Sequence, residues 1–243
     1  MSSFMLQGSF NARSLSAESG EPWIFRSATL DTASQGDIHS LAGYGVNHVI
    51  DLRSRLERGP VAHPFEVSVL PLYGEEKLPP QGGSIEGVYR GLVDRAGHGI
   101  AEAAAVVARN PGVTLVHCRI GKDRTGLVIA LIALAAGVAE SEVLADYALS
   151  QVEVRKHTAG QVYRQLRDLN LDQSEMERAR ELHLDSPPEA MENTLDWLHT
   201  QFRGVEEYLV HHGLQESDLD KLREKHRGQS PTALPARGRE FQQ

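Results

Sequence analysis

The sequence predicts an α/β fold with a central, mostly parallel sheet, flanking helices and a helical C-terminal half. Short runs rich in β-branched residues, such as NHVIDL at 47–52 and VTLVH at 113–117, alternate with helical segments in the first half. After residue 150 the pattern is helical throughout. Of the 243 residues, 40% are hydrophobic and 24% are charged. This composition is typical of a globular chain and excludes collagen-like or wholly disordered proteins.

The elements of the first half follow from local signals. Residues 1–20 are polar and are expected to be extended. Glycines suit the C-terminal end of a helix, while Pro-Pro and Gly-Gly pairs indicate a flexible loop. These signals predict, in order, a strand at 23–26, a helix over 31–42 that ends at Gly43 and Gly45, strands at 47–52 and 67–72, a loop over 74–83, a helix capped by Ser84, a helix over 100–109, a strand at 113–117 and an apolar helix over 125–136.

The second half is predicted to contain helices alone. A helix is predicted over 141–150, and capping boxes predict helix starts at Ser174 with Glu177 and at Ser186 with Glu189. One apolar face predicts a helix that ends at Gly213 and carries Leu195, Leu198, Phe202, Val205 and Leu209. A last helix is predicted to start at Ser217 with Asp220. We predict one domain over 1–227, with 151–185 as a candidate helical lid or cover. The alternative for 151–185 is plain helical packing. A disordered tail is predicted over 228–243.

Charge and cysteine content restrict the function. The net charge of −8, from 25 basic and 33 acidic residues, argues against a nucleic-acid binder. One cysteine excludes an intrachain disulfide and a Cys-rich zinc site. The apolar run at 127–139 is too short to cross roughly 30 Å of hydrocarbon, so no integral membrane segment is expected. The N-terminus does not resemble a signal peptide, which favours the cytoplasm and leaves signal-independent secretion open.

The segment HCRIGKDRTG at 117–126 carries the chemistry. A loop between a strand and a helix N-terminus directs several backbone N–H groups into one concavity, which suits a phosphate. Arg124 can grip two phosphate oxygens with its planar fork. A thiol in such a field ionises readily, so Cys118 is predicted to be a thiolate that attacks phosphorus. The alternative is that Cys118 is a small buried hydrophobe, but the spacing to Arg124, Thr125 and Gly126 favours catalysis.

This segment resembles the signature loop of cysteine-dependent protein tyrosine phosphatases, in the form found in their atypical bacterial and fungal branch. The resemblance covers roughly residues 8–227 and implies a tyrosine-phosphatase-like fold. Further segments are similar to motifs of that branch: Asn11-Ala12-Arg13, Phe25-Arg26-Ser27, Asp51-Leu52-Arg53-Ser54 with Glu57, Ala145-Asp146-Tyr147 and the stretch up to Leu214.

The resemblance and the chemistry agree on Cys118 as nucleophile and Arg124 as phosphate clamp. The N–H groups of 119–124 are expected to complete the cradle. Thr125 can donate a hydrogen bond to the sulfur, or it is an ordinary first-turn residue. His117 is predicted to orient the cysteine backbone from behind. The substrate-binding set is Arg119, Ile120, Gly121, Lys122 and Thr125.

The general acid is predicted to be Asp123. A carboxylic acid beside a bound phosphate keeps its proton more readily, because two like charges repel. The branch that the loop resembles also uses this aspartate. The alternative is a salt bridge to Lys122 that only shapes the loop. Rival acids in or beside the 74–99 region are Glu75, Glu76, Glu86 and Asp94.

Other charged residues have weaker assignments. Lys122 is predicted to add a second cation at the mouth of the loop, where together with Arg119 it can attract a multiply phosphorylated headgroup. The alternative is that Lys122 only contributes to the positive electrostatic potential of the loop. The residues Asp51, Arg53 and Glu57 are expected to tie the sheet to neighbouring loops. His211-His212 lacks a third ligand at a metal-binding spacing, so no metal is expected.

The sequence therefore predicts a protein tyrosine phosphatase that works without cofactor or metal, through a cysteinyl-phosphate. Its predicted substrate is a phosphotyrosine protein or a phosphoinositide. Phosphoinositide or dual specificity is the alternative within enzymes, and an inactive phosphate-binding module is the alternative outside them. Rhodanese-like sulfur transfer is disfavoured by the Arg-Thr-Gly ending of the loop. The oligomeric state and the physiological substrate are not predicted.

Overall fold

Six strands form one mixed sheet in the computed structural model, which describes residues 2–60, 63–167, 169 and 171–228. The sheet order is β1-β2-β3-β6-β4-β5. The pairs from β1 to β3 are antiparallel, and the pairs from β3 through β6 and β4 to β5 are parallel. The strands are β1 (Ser2–Ser3), β2 (Arg13–Ser16), β3 (Pro22–Ser27), β4 (Val46–Asp51), β5 (Glu66–Val69) and β6 (Val113–His117).

The other regular elements of the described chain are helices, so the predicted α/β class with a helical second half is confirmed. They are α1 (Gln35–Gly43), α2 (Ile85–Arg95), α3 (Gly97–Arg109), α4 (Asp123–Ala135), α5 (Glu140–Arg167), α6 (Gln173–Leu184), α7 (Pro188–Phe202), α8 (Val205–His211) and α9 (Glu216–Arg227). In the part of the chain that is described, every helix is too short or too polar to span a bilayer.

The core lies on both faces of the sheet because neighbouring strand residues point to opposite sides. Ile24, Ile50 and Val116 face a large cluster that includes α2, α3, α4, α7, α8 and α9. Phe25, Val49 and Leu115 face a smaller cluster on the side of α1. Residues 127–133 of α4 are each at most 2% exposed, which confirms a buried core helix.

Among the helices of the first 170 residues, α1 and α5 differ most in extent from the prediction. α1 begins after Ser34 rather than at Asp31, because the Ser34 and Asp37 side chains form a reciprocal capping box. α5 continues past Ser150 to Arg167 as one helix of 28 residues. Its later turns keep apolar residues on the face that packs against α6.

The two capping boxes predicted for the later helices are wrong. In α6 the box forms two residues earlier, between Asp172 and Glu175. In α7 the N-cap is Pro187, which has no side-chain acceptor, and Ser186 lies outside the helix.

The apolar face predicted over 195–209 is divided between α7 and α8. Arg203 and Gly204 adopt φ angles of 78° and 147°, which end α7 and redirect the chain. α9 begins after Gln215 and encloses Ser217 in its first turn. Apart from Gly228, the predicted disordered tail lies outside the described residues.

Residues 151–185 lie mainly in the pair of helices that we call the α5–α6 hairpin. Phe10 and Ile120 pack against its apolar interior, and the ring of Phe10 stacks on His157 with centroids 4.7 Å apart. The hairpin therefore covers the flank of the 117–126 segment at Ile120. That it moves as a lid remains a prediction. The interior residues of the hairpin are Val154, Val162, Leu166, Ala179 and Leu184.

Candidate active site

The loop between β6 and α4 lies at the carboxyl end of the parallel strands. It begins at Cys118, which is 2% exposed, and runs past Lys122, the residue before α4, to Arg124 in the first turn of that helix. Gly121 adopts a φ of 68°, and a Cβ atom there would collide with the carbonyl group of Ser27. Only glycine fits this turn, because both the backbone angle and the space exclude a side chain.

Two buried side chains hold the back of the loop. An Arg26 guanidinium nitrogen donates to the Gly121 carbonyl at 2.8 Å, and the Asn11 side-chain amide donates to the Ile120 and Gly121 carbonyls at 3.1 and 2.9 Å. In a trans peptide the N–H points opposite to the carbonyl. The N–H groups of Gly121 and Lys122 are therefore turned away from these donors, as a phosphate cradle requires.

Asp146 on α5 supports these donors from below. Its carboxylate pairs with Arg13 and, at 2.5 Å, with Arg26, and Ser150 accepts hydrogen bonds from both arginines. Burial opposes ionisation of Asp146, but the charges of Arg26 and Arg13 hold its pKa below the ordinary value. Burial, together with the charge of Arg26, lowers the pKa of Arg13 to about 10. The cluster thus joins the three segments 11–13, 25–27 and 145–147, each of which the sequence analysis identified as similar to a family motif.

Arg124 is held by a bidentate ion pair with Glu57, with two N–O distances of 2.7 Å. Both side chains are almost fully buried. Burial works against both charges, but hydrogen bonds from Arg124 and Ser54 hold the pKa of Glu57 below its ordinary value. Interaction with Cys118 and Glu57 raises the pKa of Arg124 despite its burial. The clamp is therefore permanently charged and fixed in one orientation.

Glu57 was expected to tie the sheet to neighbouring loops. In the structure Arg53 fulfils that expectation, since it pairs with Asp51 and Asp31. Glu57 instead orients Arg124, a role that sequence reasoning missed. The sequence holds no local signal for this pairing, because Glu57 lies 67 residues before Arg124.

Tyr73 is a second residue at the site that sequence reasoning missed. The Arg124 guanidinium carbon lies 5.1 Å from the centre of the Tyr73 ring, within the range of a cation–π contact. Burial and the neighbouring Asp123 raise the pKa of Tyr73, so its phenol stays neutral. Tyr73 thus forms a neutral aromatic wall over the clamp.

His117 lies beside the backbone of Cys118. Its Nδ1 is 3.1 Å from the Cys118 carbonyl oxygen, and its Nε2 is 3.9 Å from an Asp51 oxygen. Burial lowers the pKa of His117, which favours the neutral ring. The Thr125 hydroxyl is buried and has no hydrogen-bond partner among the described residues, so its expected bond to the sulfur is not formed here.

Asp123 is the acidic residue that lies in the loop itself. It is the first residue of α4, and its side chain is 23% exposed. The Tyr89 hydroxyl donates to its Oδ1 at 3.3 Å and lies 2.7 Å from the Tyr147 hydroxyl. The rival acids all lie on exposed surface, where Glu75 pairs with Arg58 and Glu76 with Arg55; the remaining two are Glu86 and Asp94 on α2.

Lys122 does not lie at the mouth of the loop, and that prediction is wrong. Its side chain is fully buried and runs beneath the loop to the end of α6. Its backbone N–H remains part of the predicted cradle. Arg119 is exposed, so it alone of the predicted cation pair faces solvent. Ile120 packs against the α5–α6 hairpin and takes part in the cradle through its backbone.

The histidines near the end of α8 pack together. The rings of His211 and His212 lie 4.9 Å apart, and both lie beside Phe202. Across the described residues, no group of three or more His, Cys, Asp or Glu side chains is arranged to hold a metal ion.

Comparisons with known proteins give one consistent result. The family model described as "Tyrosine phosphatase family" matches residues 5–227. A protein of Nostoc commune named "Tyrosine-protein phosphatase" is 28% identical over 221 residues, which span 82% of this chain and 72% of that protein. The range matched by the family model contains every residue that forms the loop and its supports.

Proposed function

Because the chain belongs to the tyrosine phosphatase family, we propose that it hydrolyses phosphotyrosine side chains of proteins through a phosphorylated Cys118. It is a phosphoric monoester hydrolase. One observation carries the residue assignment: Cys118 begins a loop whose end is the fixed, charged fork of Arg124. This arrangement can bind a phosphate dianion with its phosphorus above the sulfur.

In the first step, the Cys118 thiolate attacks phosphorus and the bond to the tyrosine oxygen breaks. Asp123 gives its proton to that oxygen, so the leaving group departs as a neutral phenol. Arg124 and the loop N–H groups bind the equatorial oxygens, whose charge they stabilise in the transition state. The product of this step is the cysteinyl-phosphate.

In the second step, a water molecule attacks the cysteinyl-phosphate. Asp123, now a carboxylate, takes a proton from that water, and the sulfur–phosphorus bond breaks to return the thiolate. Inorganic phosphate leaves the loop. Tyr73 is placed to contact the aromatic ring of the substrate, since it forms a neutral wall beside Arg124. The burial of Lys122 leaves less cationic charge for an inositol headgroup, which favours phosphotyrosine over phosphoinositides.

Purified protein is expected to hydrolyse an aryl phosphate in the presence of EDTA, because no step requires a metal. Vanadate should inhibit, since it imitates the five-coordinate phosphorus of the transition state. Phosphate release from phosphotyrosine peptides should exceed release from inositol phospholipid vesicles. Phosphate binding without turnover, across acidic to neutral pH, would instead identify an inactive binding module.

Asp123→Asn should slow poor leaving groups far more than good ones. We expect kcat/KM for phenyl phosphate to fall by about 10²-fold, while that for a nitrophenyl phosphate changes little, because a stable phenolate needs no proton. Glu76→Gln is the matched control, since Glu76 is an exposed rival acid paired with Arg55. Equal losses for both esters in Asp123→Asn would reject Asp123 as the acid.

A further inference from the structure

Lys122 makes three contacts from a fully buried position. Its Nζ donates to the carbonyl oxygens of Leu182 and Asp185, each at 2.7 Å. The same Nζ lies 3.1 Å from Oδ1 of Asp123. One ammonium group therefore joins the phosphate loop to the end of α6, 60 residues further along the chain.

The end of α6 suits a cation for a physical reason. The last carbonyls of a helix have no N–H partner within the helix, and their dipoles give that end a partial negative charge. A buried ammonium needs partners for its three protons. The two carbonyls accept two of these protons, and the Asp123 carboxylate forms an ion pair with the same ammonium, so the position of Lys122 is determined by α6 as well as by its own loop.

The contacts to Asp123 fall on one oxygen. Oδ1 accepts the Tyr89 hydroxyl at 3.3 Å and faces Lys122 at 3.1 Å. No hydrogen bond reaches Oδ2 from any of the described residues. Oδ2 therefore keeps its hydrogen-bonding capacity for a substrate, and the side chain that carries it is partly exposed.

We propose that Lys122 is a positioning residue: anchored on Leu182 and Asp185 of α6, it holds Oδ1 of Asp123 so that Oδ2 faces the leaving group. This inference rests on the function proposed above. Its cation also stabilises the carboxylate that Asp123 becomes once its proton has moved to the leaving oxygen. Lys122 thus acts through Asp123 and does not contact the substrate.

The test is Lys122→Met, measured as kcat/KM over a series of aryl phosphates of increasing leaving-group basicity. We expect little loss of kcat/KM for the best leaving group and a loss of about tenfold for the poorest, because the ion pair no longer stabilises the carboxylate that forms when Asp123 gives up its proton. Arg155→Met is the matched control, because it removes the Arg155–Asp185 ion pair at the same end of α6 without touching Asp123. The control should lower all rates equally or not at all.

Combining Lys122→Met with Asp123→Asn completes a double-mutant cycle. In the Asp123→Asn background, Lys122→Met should have no further dependence on the leaving group. A uniform loss over the series, or effects of the two substitutions that simply add, would overturn the inference. If Lys122→Met does not fold, Lys122→Gln gives the same contrast, since its amide can still donate to one carbonyl.

Failure of this inference can be distinguished from failure of the proposed function. If the wild-type protein hydrolyses aryl phosphates and Asp123→Asn shows the leaving-group effect, the function stands whatever Lys122→Met does. If the wild-type protein releases no phosphate, the proposed function itself is rejected.

Discussion

Replacing Cys118 with serine is expected to abolish turnover. The loss should be about 10⁴-fold or more, because the serine hydroxyl remains protonated where the thiolate is the nucleophile. Phosphate affinity should survive, since Arg124, Glu57 and the loop N–H groups are unchanged. Steady-state assays with an aryl phosphate measure the first effect, and calorimetric titration with inorganic phosphate measures the second.

A matched control separates the nucleophile from its surroundings. Thr125→Ser changes one methyl group within the same loop and should keep most of the turnover. Acid quenching during turnover should yield one labelled phosphate per chain in the wild-type protein and none in Cys118→Ser. Residual turnover within tenfold of wild type in Cys118→Ser would rule out a covalent cysteine mechanism.

Removing Asp146 should have the largest effect on stability. Asp146→Ala leaves Arg13 and Arg26 buried without their counter-charge, and such a loss typically costs about 3–5 kcal/mol of the free energy of unfolding. Urea unfolding monitored by circular dichroism measures it. Glu206→Ala is the control, because it breaks a part-exposed ion pair with Arg223 and should cost under about 1 kcal/mol. Equal stabilities of the two variants would contradict the structural role of the cluster.

The same cluster predicts how stability depends on pH. Because the pKa of Asp146 is held below its unfolded value, its contribution is present above the unfolded pKa and is lost as the pH falls through the folded pKa. The free energy of unfolding of Glu206→Ala should therefore fall at low pH as that of the wild-type protein does. In Asp146→Asn, whose side chain cannot ionise, the fall that is due to Asp146 should be absent.

Local patterns predicted the two elements that flank Cys118 and its loop. The strand at 113–117 matches β6 residue for residue, because it is a β-branched run bounded by Pro-Gly and by the loop. α4 was predictable as a buried helix from its continuous apolar sequence. The spacing between this strand and this helix singled out Cys118 and Arg124 as candidates, whereas the choice of Asp123 also needed the argument from like-charge repulsion and the family resemblance.

Contacts between distant segments were not predictable. Arg124 could be identified as a clamp, but its partner Glu57 lies 67 residues away. The sequence predicts Lys122 to be a surface cation, but in the structure α6, which begins at Gln173, packs over it and buries its side chain. In both cases the destination of a long charged side chain depends on which helix or loop packs above the site, and a single sequence does not contain that information.

The supports of the catalytic loop also constrain when the site can form. Arg13 and Asp146 are 133 residues apart, and the loop they hold lies between them in the chain. Contacts of such separation form late, because the entropy of closing a long stretch of chain must be overcome first. During synthesis, a chain that has emerged only as far as Cys118 contains the nucleophile but lacks the carboxylate beneath the loop. The supported form of the loop therefore arises only after α5 has docked against β2 and β3, and a shortened chain that ends before Asp146 carries Cys118 in a loop without this support.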